Sequence, residues 1–387
     1  MRFMEDNKLN RKISIIFIAV FCIMLSLPLL FTNYKKKVSE TENRTLAAFP
    51  RLMQDGERND AWTSEFTDWF GDHLGFRDQL IGTYAKTQFY AFGRTLNYSD
   101  LYIGEKGDLL GFTKDMILDY QRLDRRTEEE LVQLGNSYQN ISDWLKEQGI
   151  QFYYVQCYDK HSIIEQDRMK KGMNPVVEES KTDQLVRYLQ ENTDITILPL
   201  KQCMLDADES YVTYSKWGDP WHWSQRGGII AYREIMNMLN RNNQDSIRVL
   251  SDDDFNITYT DQGMTISSSL HQVDMEENFS VKDQHVYLDE EADMGEFALD
   301  NRNHVWKNPD TGANKKILIY GDSYLNNYII WYVAESFCET WGVRMEHLTE
   351  LDKAVEMEKP DIVLIESAER VDCNDLIKKL GDKLSKN

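Results

Sequence analysis

A serine that could act as a nucleophile lies where a strand meets a helix in the last quarter of the sequence. Residues 317–324 read ILIYGDSY, an apolar strand that passes through Gly-Asp-Ser directly into a predicted helix. Ser323 would then lie at or near the helix N-terminus, where unpaired backbone N–H groups can stabilise an oxyanion. In the alternative interpretation, Asp322 or Ser323 is only the N-cap of that helix. The tripeptide by itself leaves both interpretations open.

A serine nucleophile needs a base, because a neutral hydroxyl is weakly nucleophilic at neutral pH. Of the seven histidines, His222 stands out in the run WGDPWHWS, because Asp219 precedes it by three residues. That spacing lets a carboxylate reach the imidazole Nδ1–H, which fixes the tautomer and stabilises the imidazolium formed in catalysis. The alternative is a loop pinned by packed aromatic residues, with His222 hydrogen-bonded structurally. Taken with the strand–Gly-Asp-Ser–helix element, the spacing favours a triad of Ser323, His222 and Asp219.

Other residues near these motifs could shape a substrate pocket. Tyr324, Trp221 and Trp223 could stack on sugar rings, although buried aromatic residues are commoner. Lys160 follows a predicted strand end, where it could line the pocket or lie on a solvated loop. Arg370 could bind a sugar or a carboxylate, with a surface ion pair as the simpler alternative. The candidates for an oxyanion site or pocket are Asp322, Tyr324 and Lys160, and those for substrate binding are Trp221, Trp223 and Arg370.

We expect no metal site. The carboxylates within 251–294 lack the spaced ligands and glycine of an EF-hand loop, so a solvated acidic face is favoured over calcium binding. The five cysteines contain no CxxC pair, which excludes a zinc knuckle and a thioredoxin-type motif. If the body of the protein is exported, four of them could form disulfides in three pairings or remain buried thiols. These four are Cys157, Cys203, Cys338 and Cys373.

Composition and charge exclude several classes of protein. In 387 residues, 41% are apolar and 12% aromatic, so the chain can bury a sizeable core and is not a disordered or collagen-like protein. The formal charge is −21, but residues 1–37 carry seven basic and two acidic residues, which leaves −26 for the rest. So acidic a body would be repelled by phosphate backbones, and nucleic-acid binding is not expected.

An apolar segment near the N-terminus predicts a membrane anchor. Residues 13–31 contain no charge, and as a helix they would span roughly 28 Å, close to the hydrocarbon thickness of a bilayer. A cleaved signal peptide is the alternative, but its apolar region is usually shorter and no small-x-small cleavage site precedes the lysines at 35–37. The basic flanks are similar on both sides, so charge alone leaves the orientation open. We place residues 1–12 in the cytoplasm and the acidic body outside.

The remaining chain alternates between predicted strands and helices, which indicates a mainly parallel α/β sheet with its chemistry at the carboxyl ends of the strands. Thr127 and Glu130 predict a capping box at the start of a helix that stops at Gly149. Aromatic residues at helical spacing in 62–80 predict a packed helix, and 251–305 has no strong period and reads as an insertion or a loop-rich excursion. Strands are predicted at 150–155, 195–200, 316–320 and 361–365, and helices at about 179–191, 229–239, 324–340 and 373–384.

Several short motifs follow one another along the chain: Glu42-Asn43-Arg44 with Phe49-Pro50, the run at 69–77 (WFGDHLGFR), that at 103–110 (IGEKGDLL), Lys160-His161-Ser162-Ile163, and 360–363 with Glu366 and Glu369-Arg370. In this order they resemble the SGNH-hydrolase-like polysaccharide O-acetyltransferases, the alginate O-acetyltransferase group and the related bacterial DHHW proteins. Asp108 stands where the family's hairpin motif usually has tryptophan, and Pro220 breaks the family's usual D-x-H-W pattern, so Asp219 lies three residues before His222.

The resemblance implies an SGNH-like three-layer sandwich over residues 81–387, preceded by a juxtamembrane linker and aromatic helix at 32–80. It implies Ser323 as nucleophile, His222 as base and Asp219 as the orienting acid, with no metal and no bound cofactor. The assignment of His222 is firmer than that of Asp219. Asp219 departs from the family's own D-x-H-W spacing and matches the Asp-x-x-His pattern of the wider superfamily instead. It further implies a bacterial host and a membrane-bound O-acyltransferase that supplies the acetyl group.

Three functions remain open on these grounds. The first is a single-pass protein of the cytoplasmic membrane whose extracytoplasmic domain acetylates a cell-surface or exported polysaccharide through an acyl-enzyme. The second is a carbohydrate acetylesterase with the same triad, which differs only in whether water or a sugar hydroxyl reaches the acyl-enzyme. The third is a surface assembly or binding protein on an SGNH-like scaffold with a degenerate site, which the departure at Pro220 keeps open because fold-level analogy does not fix function.

Overall fold

The computed structural model describes residues 2–385 apart from 36, 40–43, 55, 96–99, 165, 243–246, 264–272 and 310–313. The Glu42-Asn43 part of the first motif and the centre of the acidic stretch therefore lie outside the described residues. The chain divides into two compact units, one formed by residues up to 97 and the other by 98–263 and 273–387. The predicted domain boundary at 80/81 falls within a helix at Arg77–Phe92. The assignment of 32–80 and 81–387 stays a prediction.

The first unit begins with a long apolar helix, α1 (Arg2–Leu30). Its stretch Arg11–Leu30 has a mean hydropathy of 2.8 and none of it is buried, so by length and composition it can cross a membrane. A signal sequence would pass the same test. The end of α1 is approached by Gly75, whose N–H donates to the Pro28 carbonyl at 3.0 Å. A Cβ at position 75 would lie 2.7 Å from the Phe31 backbone, which is why a glycine is required there.

The aromatic motif of the first unit forms two helices rather than one. Helix α2 (Trp62–His73) ends before Gly75, and α3 (Arg77–Phe92) starts after Phe76, whose φ of 61° is left-handed. Trp69 is buried and packs edge-on against Phe49 with ring centroids 4.8 Å apart. Helical spacing of the aromatics thus predicted their packing correctly. Two short antiparallel pairs complete the described part of the unit: β1 (Val38–Ser39) with β2 (Arg44–Thr45), and β3 (Met53–Gln54) with β4 (Glu57–Arg58).

The second unit is built on a seven-stranded sheet, counted over its described residues, in the order β11-β12-β14-β13-β15-β7-β8. The five strands from β14 to β8 are parallel, and β12 and β11 continue the sheet antiparallel at one edge. The strands of this unit are β5 (Leu101–Ile103), β6 (Leu109–Gly111), β7 (Gln151–Cys157), β8 (Thr196–Pro199), β9 (Phe255–Gly263), β10 (Val273–Val281), β11 (Tyr287–Leu288), β12 (His304–Lys307), β13 (Lys316–Gly321), β14 (Glu339–Arg344) and β15 (Ile362–Ala368).

Helices cover both faces of this sheet and give three layers. Ile317 and Ile319 of β13 face one core with α8, α9 and α11, whereas Leu318 and Tyr320 face the other with α5, α7, α12 and α13. Because both faces are buried, the central strands are continuous apolar runs, as predicted for a parallel sheet. The helices are α4 (Lys114–Tyr120), α5 (Glu128–Glu147), α6 (Lys160–Ile163), α7 (Lys181–Asn192), α8 (Lys201–Asp208), α9 (Gln225–Asn242), α10 (Ser323–Asn326), α11 (Ile330–Ala334), α12 (Leu351–Glu358) and α13 (Asn374–Leu384).

The secondary-structure predictions that rested on clear sequence patterns were confirmed. The capping box at Thr127 is present, with the Glu130 N–H donating to its hydroxyl at 3.2 Å and the Glu130 carboxylate accepting from the Thr127 N–H at 2.8 Å. The four predicted strands correspond to β7, β8, β13 and β15. Helices predicted near 179–191, 229–239 and 373–384 correspond to α7, α9 and α13.

The helix predicted over 324–340 is wrong. Two short helices, α10 and α11, occupy its first half, and β14 begins at Glu339. The run is apolar and aromatic without glycine or proline until Gly342, so nothing local marks the change of direction. Tertiary pairing decides it, because the Cys338 N–H donates to the Lys315 carbonyl at 3.1 Å and β14 then joins β13 in parallel register.

The loop-rich interpretation of 251–305 is wrong at 255–263 and 273–281. Strands β9 and β10 pair antiparallel along nine residues each. Their period was hidden because β10 carries carboxylates on both faces: Glu276 is buried, and Glu277, its neighbour on the opposite face, forms a bidentate ion pair with Arg226 at 2.6 and 2.7 Å. A strand whose inner face carries charges does not show apolar alternation.

Candidate active site

Ser323 is the first residue of α10 and is separated from the end of β13 by Asp322 alone. The cap of that helix is Asp322, whose Oδ1 accepts from the Tyr324 N–H at 2.8 Å. The Ser323 hydroxyl is therefore free of the capping role, and its Oγ lies 2.8 Å from Nε2 of His222. The N-cap alternative therefore holds for Asp322, and the role of Ser323 as nucleophile stays a prediction.

His222 is held by Asp219 from the other side of its ring. Oδ2 of Asp219 lies 3.0 Å from His222 Nδ1, while Oδ1 accepts from the backbone N–H groups of Trp221 and His222 at 2.7 and 3.0 Å. The aspartate therefore reaches the imidazole across Pro220, despite the departure from the D-x-H-W spacing. Partial burial would raise the pKa of Asp219, but hydrogen bonds from His222 and the backbone outweigh it and lower the pKa to about 2.

An ionised Asp219 fixes the histidine tautomer. The carboxylate accepts from Nδ1–H, so the unprotonated Nε2 faces the Ser323 hydroxyl and can accept its proton. In chemical terms this arrangement can deprotonate an alcohol and hold the resulting imidazolium against a carboxylate.

Tyr328 is a site residue that sequence reasoning missed. Its hydroxyl donates to Asp219 Oδ2 at 3.1 Å, and its ring centroid is 5.2 Å from that of His222. Because 324–340 was interpreted as one continuous helix, the sequence offered no signal that Tyr328 would turn toward the histidine loop.

The loop that carries Asp219 is fixed from behind by β10 and Lys160. Asp274 accepts from the backbone N–H groups of Trp217 and Gly218, and Glu276 accepts from the Ser215 hydroxyl. The Lys160 ammonium donates to the carbonyls of Leu109 and Ser215, both at 2.6 Å.

The solvated-loop interpretation of Lys160 is thus wrong. The side chain is 2% exposed at the start of α6, and burial lowers its pKa to about 8. Its two backbone contacts place it behind the loop, where it positions Asp219 indirectly.

A buried network lies on the other side of His222. The Tyr324 hydroxyl is 2.9 Å from Asp159 Oδ1 and 2.6 Å from the Trp221 carbonyl. Arg370 donates to Asp159 and to the Trp221 carbonyl, and its guanidinium lies 4.9 Å from the Tyr324 ring centroid. The surface ion pair considered for Arg370 is wrong, because the Asp159 side chain is 1% exposed and that of Arg370 is 16% exposed.

The aromatic candidates differ in what they can offer a substrate. Trp223 is 1% exposed, and its ring packs edge-on against the buried Tyr324 ring at 4.7 Å. Among Trp221, Trp223 and Tyr324, only Trp221 is half-buried, and it packs against Gly111. Trp223 and Tyr324 therefore form the wall behind the site, and substrate contact by Trp221 and Arg370 stays a prediction.

Asp322 anchors the turn rather than facing a pocket. Its Oδ2 accepts from the Ala368 N–H at 2.7 Å, and its own N–H donates to Glu366 at 3.0 Å. Burial raises the pKa of both carboxyls. This turn, Asp159 and Arg370 follow β13, β7 and β15, three adjacent parallel strands, so the site lies at their carboxyl ends as expected.

No family model and no curated protein matches the chain. Among solved structures, Bacillus cereus PatB1 is 16% identical with a TM-score of 0.52, and the match covers 72% of this chain and 96% of that chain. PatB1 with a sulfonyl adduct gives the same identity and TM-score over 72% and 95%. A DHHW family protein from Eubacterium siraeum is 11% identical with a TM-score of 0.49 over 76% and 97%.

At such identity the likeness to PatB1 concerns the fold alone. The predicted α/β sandwich, with a mainly parallel sheet after one N-terminal apolar helix, is confirmed.

Proposed function

We propose that this chain is a membrane-anchored, extracytoplasmic O-acetyltransferase that modifies a cell-surface or exported polysaccharide. The observation that carries the proposal is the continuous line from Asp219 through His222 to Ser323, with contacts of 3.0 and 2.8 Å at the carboxyl edge of the sheet. The motif resemblance supplies the substrate class and the membrane-bound O-acyltransferase as acetyl donor.

In the proposed reaction, Ser323 Oγ attacks the carbonyl carbon of an acetyl ester while His222 Nε2 takes the hydroxyl proton. The Oγ–C bond forms, the donor's C–O bond breaks, and the proton passes from His222 to the departing alkoxide. A polysaccharide hydroxyl then attacks the acetyl-serine and gives its proton to His222. The Oγ–C bond breaks, and the proton returns to Ser323.

A degenerate site on the same scaffold receives less support. That alternative rested on Pro220, yet Asp219 contacts Nδ1 of His222 across the proline. The esterase alternative uses the same residues, and it differs only in having water as the acceptor of the acetyl group.

The test is intact mass spectrometry of the full chain in detergent after brief exposure to p-nitrophenyl acetate, with and without oligosaccharides. We expect one added acetyl group on the wild type and on Ser280→Ala, an exposed serine, but none on Ser323→Ala. Appearance of the acetyl group on a glycan supports transfer, whereas loss to water alone supports an esterase. Folded wild-type protein that forms no adduct and releases no p-nitrophenol would favour the scaffold.

A further inference from the structure

A second cluster of titratable residues lies apart from the Ser323 line and has no part in the reaction above. Asp119 from α4, His161 from α6 and Glu369 from the end of β15 are 4%, 5% and 6% exposed. One ligand atom from each lies within 4.8 Å of the other two. Three separate elements thus bring one imidazole and two carboxylates to a common point.

Each side chain of this cluster has a buried polar atom without a hydrogen-bond partner. Within the described part of the chain, these atoms are Nε2 of His161, Oδ1 of Asp119 and Oε1 of Glu369. His161 Nε2 faces the other carboxylate oxygens, 3.6 Å from Glu369 Oε2 and 4.0 Å from Asp119 Oδ2, beyond hydrogen-bond distance. Buried polar atoms are normally satisfied, so three unsatisfied side chains in one cluster require an explanation.

The cations whose charges act on these three residues are Arg370, Lys201 and Lys181, and each is paired with another carboxylate. Arg370 forms an ion pair with Asp159, and its guanidinium also donates to the Trp221 carbonyl. The ammonium of Lys201 lies 2.7 Å from Asp183, and that of Lys181 lies 2.9 Å from Asp124. Two buried carboxylates therefore face an imidazole without a dedicated positive charge, which is costly in a low-dielectric site.

We propose that Asp119, His161 and Glu369 bind a divalent transition-metal ion of the Zn²⁺ type. Imidazole with carboxylates suits zinc, whereas calcium and magnesium prefer oxygen ligands alone. Tetrahedral ligands at about 2.0–2.2 Å from zinc lie roughly 3.3–3.6 Å apart, close to the separations found here.

The surroundings of the cluster fit such a site. Glu369 Oε2 accepts from the Asp159 N–H at 3.1 Å, and the imidazole lies between the rings of Phe112 and Tyr120 at 5.2 and 5.7 Å. Outer contacts of this kind orient metal ligands. A pocket of about 140 Å³, lined in part by Asp119 and His161, gives a route for the ion and a water ligand.

Protons are the alternative occupants. Burial, and after it the charge of Glu369, raises the pKa of Asp119 to about 7. Burial, and after it the charge of Asp159, raises the pKa of Glu369 to about 8. A metal ion would take the place of those protons and tie α4 and α6 to the end of β15. The inference concerns structure and does not rest on the acetyl-transfer proposal.

The experiment is a Co²⁺ titration of the full chain in detergent, purified without a polyhistidine tag and dialysed against EDTA. Visible absorption reports cobalt bound through nitrogen and oxygen ligands, and excess Zn²⁺ should abolish it. We expect one equivalent of Co²⁺ on the wild type. His161→Gln should lower the affinity by more than the roughly 10–100-fold that loss of an outer contact costs.

The matched control is His347→Gln. His347 also lies beside two carboxylates, 3.3 Å from Asp300 and 3.5 Å from Glu350, but it is 26% exposed. The His347→Gln variant should bind Co²⁺ as the wild type does. No absorption on folded wild-type protein, or unchanged binding by His161→Gln, overturns the proposal. If His161→Gln does not fold, Glu369→Gln takes its place, and the wild-type titration alone can still overturn the site.

Discussion

At the scale of single residues, the proposed chemistry depends on how Asp219 holds His222. The carboxylate orients the Nδ1–H, and its pKa of about 2 keeps it ionised at neutral pH. An asparagine could still accept from the backbone N–H groups at 221 and 222. Its amide N–H₂, however, would favour the tautomer in which Nε2 already carries a proton, and that tautomer cannot accept the proton of Ser323.

We therefore expect Asp219→Asn to lower kcat for p-nitrophenyl acetate by roughly 10²- to 10⁴-fold. Asp206→Asn, an exposed aspartate on α8, is the control and should be unaffected. Initial rates at pH 7.5 measure the effect. Equal rates for Asp219→Asn and wild type would argue that His222 is oriented by another group.

The same aspartate predicts an acid-stability difference. A carboxyl whose folded pKa lies below its unfolded value stabilises the fold above the unfolded pKa, and that contribution is lost as the pH falls through the folded pKa. For Asp219 the window runs from about 4 down to about 2. Thermal midpoints of wild type should fall more steeply there than those of Asp219→Asn.

Tyr328 is a positioning residue, since its hydroxyl acts on Asp219 rather than on a reacting atom. We expect Tyr328→Phe to lower kcat/KM by about 3- to 10-fold, in line with the roughly 0.5–1.5 kcal/mol of a typical hydrogen bond. Tyr332→Phe loses a similar bond, to the Phe279 carbonyl at 3.0 Å. It should cost stability without changing kcat/KM. Equal activity losses in both variants would assign Tyr328 a purely structural role.

At the scale of elements, helix α12 buries an ionisable carboxyl group at its C-terminal end. Glu358 is 2% exposed, and burial together with the neighbouring Glu339 raises its pKa to about 10. Glu339 itself forms an ion pair with Lys316 at 3.2 Å. Glu339 therefore stays ionised, and its negative charge favours the protonated form of Glu358. Glu358 is therefore protonated in the folded protein at neutral pH.

A carboxyl whose folded pKa is raised gives stability that is present below its unfolded pKa of about 4.5 and is lost as the pH rises toward about 10. We expect the thermal midpoint of wild type to fall between pH 5 and 9, and that of Glu358→Gln to fall less. Glu356→Gln, an exposed residue of the same helix, should follow the wild type. Parallel curves for wild type and Glu358→Gln would contradict the buried neutral carboxyl.

At the scale of the whole molecule, α1 and the free cysteines bear on where the protein works. All five cysteines are free thiols, and burial raises the pKa of Cys203 to about 12 and that of Cys373 to about 11. The alternative of paired cysteines, left open by the sequence, is therefore wrong for this structure.

We expect the full chain to stay in the membrane fraction through alkaline carbonate extraction, with intact mass including residues 13–31. Replacing Ile18 and Leu25 by arginine should release it, because each arginine at a helix centre costs about 2.5–3.5 kcal/mol. The double replacement by valine is the control. A mature mass that begins after residue 31 would instead identify a cleaved signal peptide.

Orientation needs its own measurement, since charge leaves it open. The proposal places the second unit outside the cytoplasmic membrane, so protease added to intact spheroplasts should degrade it. Protection of the unit until the membrane is dissolved would place it inside and would exclude an extracytoplasmic polysaccharide as substrate.

Local chemistry was enough to predict much of this protein. The apolar run at 13–31, the capping box at Thr127 and the continuous apolar strands β13 and β15 depend on neighbours in the chain, so their patterns predicted them. The pairing of Asp219 with His222 was also within reach, because three residues of loop suffice for the contact.

Only the tertiary structure decided the rest, because it depends on residues far apart in the chain. The 2.8 Å approach of Ser323 to His222 joins positions 101 residues apart, and Tyr328 reaches Asp219 across 109. The end of α11 is set by the pairing of β14 with β13, and the strands β9 and β10 pack Phe255 and Phe279 into the core while they also carry the buried Glu276. No sequence pattern predicts that Asp119, His161 and Glu369 come together, since their ligand geometry exists only after three elements pack together.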